Sequence, residues 1–258
     1  MFSQTITDFW RAPLVGGDVL HRDEALTVVS NPGLPEDRRV TVLTTRGADA
    51  SDSPAAPTAS LTDGPGAVLV AVTPQIAGLL DLAGPRAVTE ASVRRALQDA
   101  GITLHEADCV FHLTQHATTA LRAEADAPTV RRLTALDAAA FSAFEASAPE
   151  QDLDDAYVEL DHWAVFGAFE GERLVAAAST YPWGDSRLAD TGVLTLPDAR
   201  GKGHARQVVR AISRHALSQG YEPQYRCQVD NAASRALAAR AGFTQLGTWE
   251  VVSPDSAV

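Results

Sequence analysis

The chain has 258 residues, 45% of them apolar, a formal net charge of -12, and basic side chains that are all arginine except Lys202. A pI near 4.9 argues against nucleic acid or an anionic membrane surface as a main partner. No apolar run approaches the roughly 20 residues that span a bilayer, and Met1-Phe2-Ser3-Gln4-Thr5 lacks the basic-then-apolar pattern of a secretion signal.

In chain order, residues 1–115 read as an α/β domain. Ala25 to Val29 and Arg39 to Thr44 are strand-like runs, parted by the turn-like Asn31-Pro32-Gly33-Leu34-Pro35. Residues 46–66 are rich in Gly, Ala, Ser, Asp and Pro without periodicity, which predicts a mobile loop inside this domain. Ala67 to Val72 reads as a strand, with a helix after Thr73. Thr89 to Ala100 reads as a helix that ends at Gly101, and Asp108 to Leu113 as a further strand. Gly16-Gly17 is not followed by a basic helix start and reads as a turn. The first domain is therefore expected to hold no cofactor and to shape an acceptor site or an interface. The Ala-, Thr- and charge-bearing stretch after Gln115 is expected to be a linker, placed at 116–126.

Residues 127–258 carry the clearer pattern. Val130 to Thr134 reads as a strand, Ala135 to Ala146 and Leu153 to Leu160 as helices. Ala164 to Phe169 and Leu174 to Tyr181 read as a hairpin around Glu170-Gly171-Glu172. Thr191 to Leu196 reads as a strand and Ala205 to Ser218 as a helix. Between them lies Arg200-Gly201-Lys202-Gly203-His204-Ala205. From Ala199 to Tyr221 there are five basic residues and no acidic ones, in an acidic chain. A glycine turn at a helix start offers backbone N–H groups and the positive end of the helix dipole, a place for phosphate. Tyr225 to Val229 then reads as a strand, Asp230 and Asn231 suit an N-cap, the Ala-rich sequence with Leu237 favours helix, and Gly242 suits the left-handed position after it.

The glycine turn and the Asn231-to-Phe243 segment, in this order, resemble the two signatures of the GNAT acetyltransferase superfamily. The resemblance covers residues 127–258, half the chain. It implies an α/β (α+β) GNAT fold with a mixed, mainly antiparallel sheet, preceded by a second α/β domain. It implies acetyl-CoA as co-substrate and transfer of an acyl group to an amine of a small molecule or peptide. The alternative is a non-catalytic acyl-CoA-binding regulatory module. By resemblance, Arg200, Gly201, Lys202, Gly203, His204 and Ala205 would hold the pyrophosphate. Leu194, Thr195 and Leu196 would pair with the pantetheine amides. Asn231 would bond the pantetheine, and Ser234 would lie near the phosphates.

The family usually places a tyrosine four residues before the glycine of the Gly-Phe pair, as acid toward the leaving thiolate. Here that position is Ala238, with Tyr181, Tyr225 and Cys227 as substitutes to weigh. Amines near pKa 10 need a base at neutral pH, and Asp190, Glu159 and Asp161 are candidates. The catalytic residues stay open at this point. Cys109 and Cys227 lack metal spacing, so no metal is expected, and free thiols point to a reducing cytoplasm. The sequence leaves the oligomeric state and the acceptor open.

Overall fold

The computed structural model describes residues 1–46, 66–80, 87–125 and 127–256. In chain order these form α1 (Gln4–Arg11), β1 (Asp18–Arg22), β2 (Leu26–Ser30), β3 (Val40–Thr45), β4 (Val68–Val72), α2 (Pro74–Leu79), α3 (Glu90–Asp99), β5 (Asp108–Leu113) and α4 (Gln115–Arg122). There follow β6 (Val130–Arg132), α5 (Ala138–Glu145), α6 (Glu150–Ala156), β7 (Ala164–Glu170), β8 (Arg173–Pro182), β9 (Leu188–Thr195), α7 (His204–Ser218), β10 (Glu222–Gln228), α8 (Ala232–Ala241) and β11 (Phe243–Val251). The mobile loop expected at 46–66 lies, between its end residues, outside the described residues. No described helix is long and apolar enough to cross a membrane.

The chain divides into two compact units. One takes Thr7–Val110 and Leu246–Val258; the other takes Met1–Ile6 and Phe111–Gln245. These units cut across the linear division at 116–126. The end of the chain groups with its first half because β11 pairs with β3 from Gly247↔Thr45 to Val251↔Thr41, and Ser253 N–H donates to Thr103 O at 2.8 Å. The stretch expected as a linker is largely helix α4. Thr114 caps it by accepting from Ala117 N–H at 3.2 Å, and Leu121 is buried.

In the first of these units the strand order is β1-β2-β4-β3-β11. β2 and β4 are parallel; the other neighbours are antiparallel. Every residue of β2 and β4 is buried, which is why β4 reads as an unbroken apolar run rather than alternation. One face of this sheet packs Val28, Val42 and Val70 against Ile76, Val93 and Leu97 of α2 and α3. Thr89 and Ser92 form the capping box that starts α3.

In the other unit the order is β5-β10-β9-β8-β7-β6. β9 and β10 are parallel, and β9, β8, β7 and β6 run antiparallel in turn. Helix α7 covers one face, with Val208, Ala211 and Ile212 against Phe166, Ala176 and Ala178. Helix α5 covers the other, with Phe141 and Phe144 among Val165, Val175, Ala177 and Leu194. The mixed, mainly antiparallel α/β architecture expected from sequence is the one observed.

Among the element boundaries that differ from the sequence reading, those of α6 and β9 bear on the site. Helix α6 runs over Glu150–Ala156 rather than 153–160. Acidic Glu150 and Asp152 in its first turn favour the earlier start, and Tyr157, left-handed at φ 46°, ends it. Strand β9 begins at Leu188 rather than Thr191. The end of α6 also comes very close to β9: a Cβ on Gly192 would lie 2.1 Å from the Ala156 carbonyl oxygen. Gly192→Ala must move backbone rather than a side-chain tip, so we expect a loss of about 1–3 kcal/mol. Urea unfolding checks it; an unchanged midpoint would contradict the close approach.

Candidate functional site

The site is built where β9 leaves β10. Their parallel register runs from Leu188↔Glu222 to Thr191↔Tyr225. β9 continues to Thr195 and β10 to Gln228 with no further pair between them. On its other side β9 stays paired to β8 through Thr195↔Ala176. Leu196 N–H donates to Val175 O at 3.0 Å. Hydrogen-bonded and non-bonded pairs alternate along an antiparallel ladder, so Leu194 and Gly192 also turn their amides toward β8. The backbone groups of Val193 and Thr195 therefore face the opening.

This revises the sequence expectation for the strand edge. Leu196 has its N–H on Val175 and its carbonyl accepting from Ala199 N–H at 2.9 Å, and the side chains of Leu194 and Leu196 are core. Thr195 is the one residue of the expected three whose edge is exposed to the opening, and its Oγ1 is buried without a partner. Val193 was missed. Pattern alone does not fix which alternate amides a strand turns outward; that needs its partner's register.

Beyond β9 a 3-10 turn at Pro197–Ala199 leads into the glycine loop. Gly201 and Gly203 have φ of +78° and +90°, a region that disfavours any side chain, and open space lies where a Cβ would stand. Gly203 is the N-cap of α7, and no side chain caps the helix. The expected loop residues Arg200 to Ala205 are thus brought together at one helix N-terminus.

Their charges are not free. Lys202 Nζ donates to Glu170 at 2.9 and 3.2 Å. His204 Nε2 lies 2.8 Å from the same carboxylate, while its Nδ1 is buried without a partner. The hydrogen bond from Lys202, then that from His204, holds the Glu170 carboxyl below the usual range. Arg200 donates to Asp152 Oδ2 at 2.6 Å and to Thr195 O at 3.3 Å. Arg206 donates to Arg240 O at 2.9 Å and Arg210 to Ala241 O at 2.6 Å, so two arginines of α7 bond the last carbonyls of α8.

Asn231 is the N-cap of α8 and accepts from Ser234 N–H at 2.9 Å. Ser234 Oγ lies 2.7 Å from Tyr225 Oη. Burial pushes the Tyr225 phenol up to about 12, so it is protonated at neutral pH. Ala238 and Cys227 are buried.

The face of the sheet toward α6 carries the titratable groups. Asp190 is buried and fully engaged. Arg226 donates to it at 2.7 and 3.2 Å, Gln224 Nε2 at 2.9 Å and Tyr181 Oη at 3.5 Å. Asp190 is thus held by structure rather than presented as a base. Burial, then the Asp190 charge, raises the Tyr181 phenol to about 12. Glu159 and Asp161 are exposed. His162, which the sequence did not single out, lies at the level of the opening. Its Nδ1 is 2.8 Å from Ser179 Oγ, and its ring lies 5.0 Å from that of Tyr157 and 4.9 Å from that of Tyr181. Among the described residues, no three His, Cys, Asp or Glu side chains gather as metal ligands.

Residues 131–243 match the family model described as the acetyltransferase (GNAT) family. Among solved structures the chain is similar to a GNAT-family protein from Novosphingobium aromaticivorans (18% identity, TM-score 0.45), over 59% of this chain and 66% of that one. It is similar to a GNAT-family acetyltransferase from Colwellia psychrerythraea (24% identity, TM-score 0.46), over 63% and 62%. It is similar to a GNAT-type N-acetyltransferase from Kribbella flavida (17% identity, TM-score 0.43), over 64% and 65%. The match spans just under two thirds of the length of each of these chains. No match was found among curated proteins.

The buried network below the opening gives a pH prediction. His112 is wholly buried, its Nδ1 3.2 Å from Pro223 O. Burial lowers its imidazole from 6.5 to about 4. The folded value lies below the unfolded one, so between them the unfolded chain takes up the proton first. His112 therefore costs nothing at neutral pH and destabilises the fold progressively from about 6.5 down to about 4, by about 3 kcal/mol at the lower end. Urea unfolding at several pH values in this window checks it. His112→Gln should lose less stability on acidification than the wild type; parallel curves would contradict the assignment.

Proposed function

We propose, from the premise that residues 131–243 form a domain of the acetyltransferase (GNAT) family, that this chain moves an acetyl group from acetyl-CoA to an amine nitrogen of a small molecule or peptide by direct transfer. The observation that carries the reading is continuous: the open edge of β9 leads straight into a glycine loop at an uncapped helix N-terminus. An extended chain of amides needs such an edge, and a pyrophosphate needs such a terminus.

The residues present fit that ligand. Backbone N–H groups from Gly201 to Ala205 would hold the phosphates, with left-handed Gly201 and Gly203 letting the main chain come close. Val193 and Thr195 would pair with the pantetheine amides, and the Val193 N–H would polarise the thioester carbonyl. The partnerless Thr195 Oγ1 and His204 Nδ1 are the kind of polar atoms a bound polar ligand satisfies. Asn231 and Ser234 would border the site from α8. Cys109 and Cys227 are buried and form no disulfide, which fits a reducing cytoplasm.

One observation favours a second reading. The position at which the family usually has its acid is the buried methyl of Ala238, which has no proton to give. A chain without turnover would be an acyl-CoA-binding regulatory module. A CoA thiolate is itself a fair leaving group, so the transferase reading stands first.

Acetyl-CoA titration by calorimetry, together with thiol release in a mixed panel of amines, tests both. Binding with amine-dependent release is expected; binding without release would favour the regulatory module. Gly203→Glu places a carboxylate where the phosphates would lie and should abolish binding without loss of the folded state. Glu170→Gln removes the carboxylate that competes for Lys202 and should tighten acetyl-CoA binding severalfold. Unchanged affinity in both variants would show that the loop holds no phosphate.

A further inference from the structure

On the α6 side of the sheet, a short chain of hydrogen bonds meets at one buried hydroxyl. Ser179 lies opposite Gly192, the first residue of β9 past its last pair with β10. Ser179 is wholly buried, and its Oγ meets two groups: the Tyr157 carbonyl oxygen at 3.4 Å and His162 Nδ1 at 2.8 Å. A carbonyl only accepts, and a hydroxyl has one proton to donate. With that proton directed to Tyr157 O, the Ser179 oxygen accepts from Nδ1–H. The neutral imidazole then carries its proton on Nδ1 and a bare lone pair on Nε2.

The surroundings keep Nε2 at the mouth of the site. It lies 3.5 Å from Glu159 Oε2, a carboxylate about half exposed, whereas the His162 side chain is only 11% exposed. The Tyr157 and Tyr181 rings stand against the imidazole. Behind Tyr181 lies the Asp190–Arg226 pair. Asp161 is the chain neighbour and is exposed. The left-handed Tyr157 is what turns the end of α6 so that its carbonyl reaches Ser179 and its ring reaches His162. Asp190 sits one ladder step further on, and a proton placed on it would break its pairing with Arg226. His162 has no such conflict.

We propose that His162 is the base of the transfer and that Ser179 is a positioning residue that holds it in the competent tautomer; this rests on the acetyltransferase reading above. Nε2 first takes a proton from the acceptor ammonium, and the nitrogen lone pair so freed bonds to the thioester carbonyl carbon. The C–S bond breaks with its electron pair going to sulfur. The thiolate takes up the second nitrogen proton, and His162 returns its own to solvent past Glu159. The products are the amide and the free thiol. The same cluster sets the acceptor class: aromatic rings beside a carboxylate suit a cationic amine, which must lose a proton before it can attack.

The test uses the full-length chain, acetyl-CoA and two simple amines: propylamine, protonated at neutral pH, and methoxyamine, which is not. His162→Gln should lower turnover with propylamine about 100-fold or more but with methoxyamine only a few-fold, with acetyl-CoA affinity unchanged. Equal losses with both amines, or none, would overturn the proposal. Imidazole nitrogen NMR supplies a readout independent of turnover. The signal missing in His162→Gln should report Nδ1–H in the wild type, and Ser179→Ala should admit the Nε2–H form. An Nε2–H wild type would overturn the proposal by itself. A wild type that fails to bind acetyl-CoA would remove the acetyltransferase reading and the base with it. A wild type that turns over no faster than His162→Gln would remove only the base.

Discussion

The end of the β9–β10 ladder at Thr191↔Tyr225 is the constraint from which the site follows. Two parallel strands that stop pairing while both continue leave backbone donors and acceptors unmet, and buried backbone polar groups are rarely left so. β8 holds the other side of β9 in strict register, so the strand cannot rotate to hide its free edge. The alternation of the ladder then decides that Val193 and Thr195, rather than Leu194, look into the gap. The helix that follows begins at Gly203 without a side-chain cap, which puts a dipole end and free N–H groups at the close of the same edge.

Charge in the folded chain is arranged differently from charge along the sequence. The segment from Ala199 to Tyr221 has basic residues and no acidic ones, yet Glu170, Asp152 and Glu124 come from other elements to meet Lys202, Arg200 and Arg210. The arginine stripe on α7 bonds the C-terminus of α8 at Arg240 and Ala241. At the loop itself Lys202 is engaged by the exposed carboxylate of Glu170, so what the loop presents is mainly backbone geometry.

On the α6 side of the sheet, burial separates two acidic groups that look alike in sequence. Asp190 is enclosed and committed to Arg226 and Gln224, where a lost charge would take the carboxylate partner from a half-buried guanidinium. Glu159 is exposed and reaches only the outer nitrogen of His162. His162 lies between a buried serine and that carboxylate, so each of its nitrogens has a different neighbour.

The sequence by itself determined most elements and the loop. Period-2 runs and capping residues such as Thr89 and Asn231 mark strands and helix starts locally. Glycine adopts the left-handed backbone at Gly201 and Gly203 more readily than any other residue, so the turn is written in residue type. It did not reveal α1 or β1, read the helix α4 as a linker, and misplaced α6, whose end depends on the left-handed Tyr157. Only the tertiary structure decided that the last residues join the first half of the chain, that Val193 faces the opening, that Asp190 is committed and that His162 meets Ser179. Each of these depends on a partner far away in sequence: β3 for β11, β8 for β9, Arg226 for Asp190, Ser179 for His162. Local pattern carries the period and the conformation of a segment, whereas register and pairing arise only when segments meet.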